Sequence, residues 1–115
     1  MSAIVVAALG AGAPGLAAAV QASGAELLAI HALDARLASG GVDGLVIVSD
    51  ALDSDLAVMV AGLLGEGAPP AIEVHSERWD GFHRSLLSPA CKGVISGFGL
   101  RGVAEAVSLL REDKG

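Results

Sequence analysis

At 115 residues the chain has room for one domain and not two. Hydrophobic residues make up 53% and charged residues 17%, which is too apolar for a disordered chain, yet no apolar run reaches the roughly 18–20 residues of a spanning helix. The net charge of −6, with 7 scattered basic residues against 13 acidic ones, argues against a nucleic-acid or anionic-membrane partner.

Much of the apolar excess is alanine, and Trp79, Phe82 and Phe98 are the only aromatic residues. The core therefore has to be built from small aliphatic side chains and closely packed backbones. A lone cysteine, Cys91, excludes an internal disulfide and a cysteine-based metal site, and reads as a small packing residue. No basic residue precedes the first apolar run, so the N-terminus does not read as a signal peptide, and the expected location is cytoplasmic.

Residues 3–9 form a short, continuous apolar run whose length and β-branched content predict a buried strand. Residues 10–15 turn the chain, Pro14 suits a first helical turn, and residues 16–22 read as an Ala-rich helix closed by Ser23 and Gly24. A second strand is expected over 25–31, then a short helix over 33–39 stopped by Gly40 and Gly41. Residues 45–48 are the clearest strand, entered through 42–44 and followed by Ser49 and Asp50. Asp53, Ser54 and Asp55 supply short oxygens that can cap a helix over 56–64, with Leu56, Met59, Val60, Leu63 and Leu64 on its inner face. After a breaker cluster at 65–70, residues 71–75 form a shorter, more polar strand. Phe82, Leu86 and Leu87 have helical spacing within 80–89, which stops at Pro89. A fifth strand over 93–96, a loop over 97–99 and an amphipathic helix over 100–111 complete the domain, with Leu100, Val103, Val107 and Leu110 inward. Residues 112–115 read as a polar tail beyond a domain of residues 1–111.

Strands alternating with helices predict a parallel sheet covered on both faces. Five strands in this length match the flavodoxin-like doubly wound α/β fold, order 2-1-3-4-5. Functional groups in such folds lie beyond the carboxyl ends of the strands, here at 10–15, 31–34, 49–55, 75–80 and 96–99.

Those positions hold few reactive groups. Gly10, Gly12 and Gly15 spell G-x-G-x-x-G between a strand and a helix, the setting of a dinucleotide-binding turn. The acid that should end the second strand is replaced by His31, which favours a tight turn over a cofactor site. His31 and His75 both end strands and, with Asp50, could offer zinc ligands, although solvated loop histidines account for them. Asp50, Asp53 and Asp55 fit turn and cap chemistry as well as a magnesium site. Ser49 and Ser96 lack the G-x-S-x-G elbow of a hydrolase nucleophile. Trp79 and Phe82 are candidate interface anchors.

The whole layout, and residues 85–107 in particular, resembles the receiver domains of bacterial response regulators. That family needs an acidic pair after strand 1, a phosphoacceptor Asp after strand 3, a Thr or Ser after strand 4 and a Lys after strand 5. Here the acidic pair and the Lys are missing, and Asp50 stands slightly beyond the acceptor position with His75 and Ser76 after strand 4. Phosphoryl transfer depends on neutralising charge, so the resemblance implies a degenerate receiver. It is similar to the N-terminal atypical receiver of CpaE/TadZ-type pilus-assembly ATPases, and no Walker A string is present. The resemblance implies a non-catalytic interaction and regulatory module without a cofactor. It would dimerise weakly or dock a protein through a surface that includes Trp79, Phe82, Arg84, Lys92, Phe98, Arg101 and Glu105. The alternatives are a small nucleotide-binding domain using Gly10, Gly12 and Gly15, and a receiver still phosphorylated at Asp50.

Overall fold

The computed structural model describes residues 3–9, 15–48, 54–65, 67–75, 91–96 and 101–114. The strands are β1 (Ala3–Ala8), β2 (Glu26–Ala29), β3 (Val42–Val48), β4 (Ala71–His75) and β5 (Gly93–Ser96), and all but β2 form where short apolar runs carry β-branched residues. Helices α1 (Leu16–Ala22), α2 (Leu33–Ala38), α3 (Ser54–Leu63) and α4 (Arg101–Lys114) connect or follow them, and a 3-10 turn (Ile30–Ala32) links β2 to α2. All strand pairs are parallel, and the sheet order is β2-β1-β3-β4-β5, as the alternation of elements predicts.

Each central strand is buried on both faces, which is why its sequence is apolar at consecutive positions rather than alternate ones. Ile4, Val6 and Ala8 of β1, with Val46 and Val48 of β3, face the layer formed by α1 and α4. Val5 and Ala7, with Leu45 and Ile47, face the layer formed by α2 and α3. Helix α4 presents Val103, Ala106, Val107 and Leu110 to the sheet. It continues to Lys114, so the polar segment after 111 is helical rather than a tail.

Two helical details differ from the sequence expectation. Helix α3 starts at Ser54 and turns Ala57, Val60 and Leu64 inward, which leaves Met59 40% exposed. Ala57, Val60 and Leu64 share one face at i, i+3 and i+7, and Met59 stands off it. The helix expected over 80–89 falls outside the described residues.

Two arginines fasten the periphery. Arg36 on α2 reaches Glu26 at the start of β2 (Nε to Oε2, 2.8 Å) and donates from Nη1 to the Gly40 carbonyl at 2.7 Å. Arg111 on α4 donates from Nη2 to the Gly24 carbonyl at 3.1 Å, tying α4 to the turn after α1.

Packing is tight where β3 begins. The register shifts between Ala3↔Val42 and Ile4↔Gly44, a local bulge. A Cβ at Gly44 would stand 3.1 Å from Ile4 Cδ1 and 3.2 Å from Leu110 Cδ1. Both neighbours are buried and have little room to move. Gly44→Val is expected to cost about 1–3 kcal/mol by overpacking. The change should appear as a lower urea midpoint at unchanged slope.

Candidate functional site

In an open parallel sheet, groups that act on a ligand gather at the carboxyl ends of the strands. Among the described residues, that edge carries His31 after β2, Asp55 in the first turn of α3, His75 at the end of β4, Ser96 at the end of β5, and Arg101 at the start of α4. His75 pairs in register with Ser96, so those two residues sit side by side on adjacent strands.

His75 has a companion on its own strand. Glu73 lies two residues earlier, and the two-residue period of a strand puts both side chains on the same face, with Cα atoms about 6.5–7 Å apart. Glu73 is completely buried in the layer toward α3, whereas His75 is half-buried at the rim. Oε2 of Glu73 accepts no hydrogen bond among the described residues, although the side chain has other interactions. A buried carboxylate is expensive, and an apolar residue would fill this position at lower cost. Its charge is felt nearby: burial first, and the negative charge of Glu73 second, push the Cys91 thiol up to about 12. Cys91 is half-buried against the same apolar layer, which agrees with its reading as a packing residue.

Other sequence candidates are dispersed. His31 is exposed on the 3-10 turn, and β2 lies three strand positions from β4, so the two histidines are roughly 14 Å apart in the sheet direction. They do not converge on one ion, and no cluster of three or more His, Cys, Asp or Glu able to hold a metal exists among the described residues. Gly15 takes φ 86° at the start of α1, a left-handed conformation that favours glycine for turn geometry alone. Gly10, Gly12, Ser49, Asp50, Asp53, Trp79, Phe82, Arg84 and Phe98 lie outside the described residues. Lys92 and Arg101 are both exposed but flank opposite ends of β5, with Glu105 one turn into α4. Two grooves open at the amino edge of the sheet, away from His75. One, of about 420 Å³, lies between the ends of α2 and α3, and the other, of about 370 Å³, lies between β5 and the end of α4.

No family model matches the sequence. No curated protein matches it either. Solved structures do. A type II dehydroquinase from Butyrivibrio crossotus overlays with a TM-score of 0.69 at 21% identity, covering 96% of this chain and 97% of that one. A type II dehydroquinase from Propionibacterium acnes gives 0.61 at 23% identity, covering 97% and 98%. A 3-dehydroquinate dehydratase-like protein from Bifidobacterium longum gives 0.55 at 19% identity, covering 100% and 99%. The likeness shows the fold: a five-stranded flavodoxin-like α/β domain of the dehydroquinase form.

This finding overturns the receiver expectation. These three structures, which share the fold end to end, are dehydroquinases or a dehydroquinate dehydratase-like protein, not response-regulator receivers, so the degenerate-receiver reading falls, with its roles in signalling and pilus assembly. The expectation of a non-catalytic module rested on that resemblance and falls with it. The alternatives, a nucleotide-binding domain using Gly10, Gly12 and Gly15 and a receiver phosphorylated at Asp50, gain no support from these neighbours. The physical reason for the error is that strand order 2-1-3-4-5 serves many unrelated chemistries, so topology does not choose among them.

Glu73 was not singled out by the sequence reading. Its signal was available: one acid inside an apolar strand, two residues before a strand-ending histidine.

The raised Cys91 thiol yields a direct expectation. At pH 8 almost none of it is thiolate, so an aromatic disulfide reagent should label the native protein at least tenfold more slowly than the urea-unfolded chain.

Proposed function

We propose that this chain is an enzyme of the dehydroquinase type, a lyase that removes water from 3-dehydroquinate or a closely similar cyclic β-hydroxy ketone carboxylate, acting in the cytoplasm. The observation that carries the reading is the end-to-end overlay on dehydroquinases, with neither chain extending far beyond the other. The half-buried His75 above the buried Glu73, at the edge where this fold class places its chemistry, supports it. Among the described residues, no helix is long and apolar enough to cross a membrane, which agrees with the location proposed.

Dehydration of a β-hydroxy ketone is acid–base chemistry. A base removes the proton α to the carbonyl, the electron pair moves into the ring as the carbon–oxygen bond breaks, and an acid protonates the departing hydroxyl as water. The product is a conjugated, unsaturated ketone. The side chains that usually move such protons are His, Asp, Glu, Lys, Tyr and Cys. The chain contains no tyrosine, and its one cysteine holds its proton too firmly for this work near neutral pH. His75, at the end of β4 with a buried carboxylate two residues behind it, is the leading candidate for the acid. In this proposal His75 protonates the leaving hydroxyl, and Glu73 fixes the imidazole from below, the same division of labour by which a buried acid orients a catalytic histidine elsewhere. Asp55, in the first turn of α3, is a carboxylate on the neighbouring connection at the same edge. Arg101, at the start of α4, adds positive charge on the other side, suited to a substrate carboxylate.

The test is ultraviolet absorbance of the conjugated product on mixing the purified chain with 3-dehydroquinate. Turnover is expected, and His75→Asn should lower kcat about 10²–10⁴-fold with the fold intact by circular dichroism. Glu73→Gln should lower kcat with a displaced pH profile rather than a raised KM. Native protein that shows no turnover would refute the proposal. Unchanged kcat in His75→Asn would remove His75 from the mechanism.

A further inference from the structure

Removing water from a β-hydroxy ketone takes an acid and a base, and His75 accounts only for the acid. The base has to reach the α-proton from another side of the ring. Tyrosine is absent from the sequence, and the one thiol is pushed up to about 12. Of the two lysines, Lys92 precedes β5 at the amino edge, and Lys114 ends α4 about 20 Å from Arg101. His31 lies roughly 14 Å from His75 in the sheet direction. Asp34 shares that distant corner, where its Oδ1 accepts from the Ala35 backbone N–H at 2.7 Å. Glu26 and Asp43 are at the starts of their strands, on the amino edge, and Glu105 and Glu112 ride on α4, across the sheet. Glu73 is completely buried behind His75.

Among the described residues, Asp55 remains. β3 and β4 pair in register up to Val48 and Val74, so β3 ends beside His75. From there α3 runs back over the face that holds Ala71, burying Ala57, Val60 and Leu64 in that layer. Glu73 and His75 follow Ala71 at the two-residue period, so they share this face. The amino end of α3 therefore lies at the carboxyl edge on the same side of the sheet as His75, and Asp55 is exposed in its first turn. We infer that Asp55 is the base of the dehydration, which rests on the dehydroquinase-type reading of His75. Its carboxylate takes the proton α to the ketone. The electron pair of that C–H bond becomes the carbon–carbon double bond as the carbon–oxygen bond breaks, and His75 gives a proton to the departing hydroxyl. Water leaves, Asp55 returns its proton to solvent, and His75 regains one, so the chain ends as it began.

Kinetics of the native chain and of Asp55 variants on 3-dehydroquinate decide the matter. Asp55→Asn is expected to lower kcat about 10²–10⁴-fold while KM stays within about threefold. Asp55→Ala should regain about tenfold or more in kcat when formate is added, because a small carboxylate can take the vacated place and the proton. Formate should do nothing for His75→Asn. Asp55 is exposed, so circular dichroism should be unchanged in both of its variants. Native protein without turnover overturns the dehydroquinase-type reading and the base with it. Native turnover with undiminished kcat in Asp55→Asn overturns the base assignment alone. So does a loss in Asp55→Ala that formate does not relieve, which would hand the base to another group, such as Asp50 or Asp53 in the same connection.

Discussion

The structure depends on burying β1 and β3 from both sides, and among the described residues the side chains that do so are no larger than leucine or isoleucine. Val5, Val6, Ala7, Leu45, Val46 and Ile47 are wholly inaccessible to water, and they belong alternately to the two layers. Among the described residues no aromatic side chain contributes to the core, and its volume comes from close approach of backbones. That requirement explains the alanine on the inner faces of α3 and α4 and the glycine at the bulge where Ile4 and Leu110 meet. Each layer is thin, and loss of a single methyl is felt because few atoms share the load.

The same economy places the chemistry. A sheet whose middle is filled with aliphatic groups has its polar residues at its rims, and helices that run back across the faces leave their amino ends at the carboxyl edge. Glu73 is the exception, an acid held inside the layer between β4 and α3. Burial of an acid costs stability. That cost, met directly behind a strand-ending histidine, is the local inconsistency on which the proposed site rests.

Most of the fold was legible in the sequence. Short apolar runs located all five strands, four of them rich in β-branched residues, and the breaks at Gly24, at Gly40 and Gly41, and at 65–70 separated the elements. The alternation of types gave the sheet order. Length and spacing could not say which family uses that order, because the flavodoxin-like arrangement constrains backbone geometry and not the groups mounted on it. The missing receiver acids and lysine were read as decay of one chemistry, when the neighbours in structure belong to another. In the sequence alone His75 reads as a solvated loop histidine. Its significance comes from Glu73 beneath it, and that relation is a matter of strand register and burial. Met59 shows the converse limit: a broad helical face includes it, and the buried face set by Ala57, Val60 and Leu64 leaves it out.

One peripheral contact bears on how the molecule behaves in a crowded solution. β2 is a terminal strand of only four residues, with one side of its backbone open to pairing with another chain. Its first residue, Glu26, is gripped by Arg36, which also holds the Gly40 carbonyl where α2 ends. A short edge with an ion pair at its mouth offers a poor template for a foreign strand. The clip that fixes α2 against the sheet therefore also guards this apolar, alanine-rich protein against edge-to-edge aggregation.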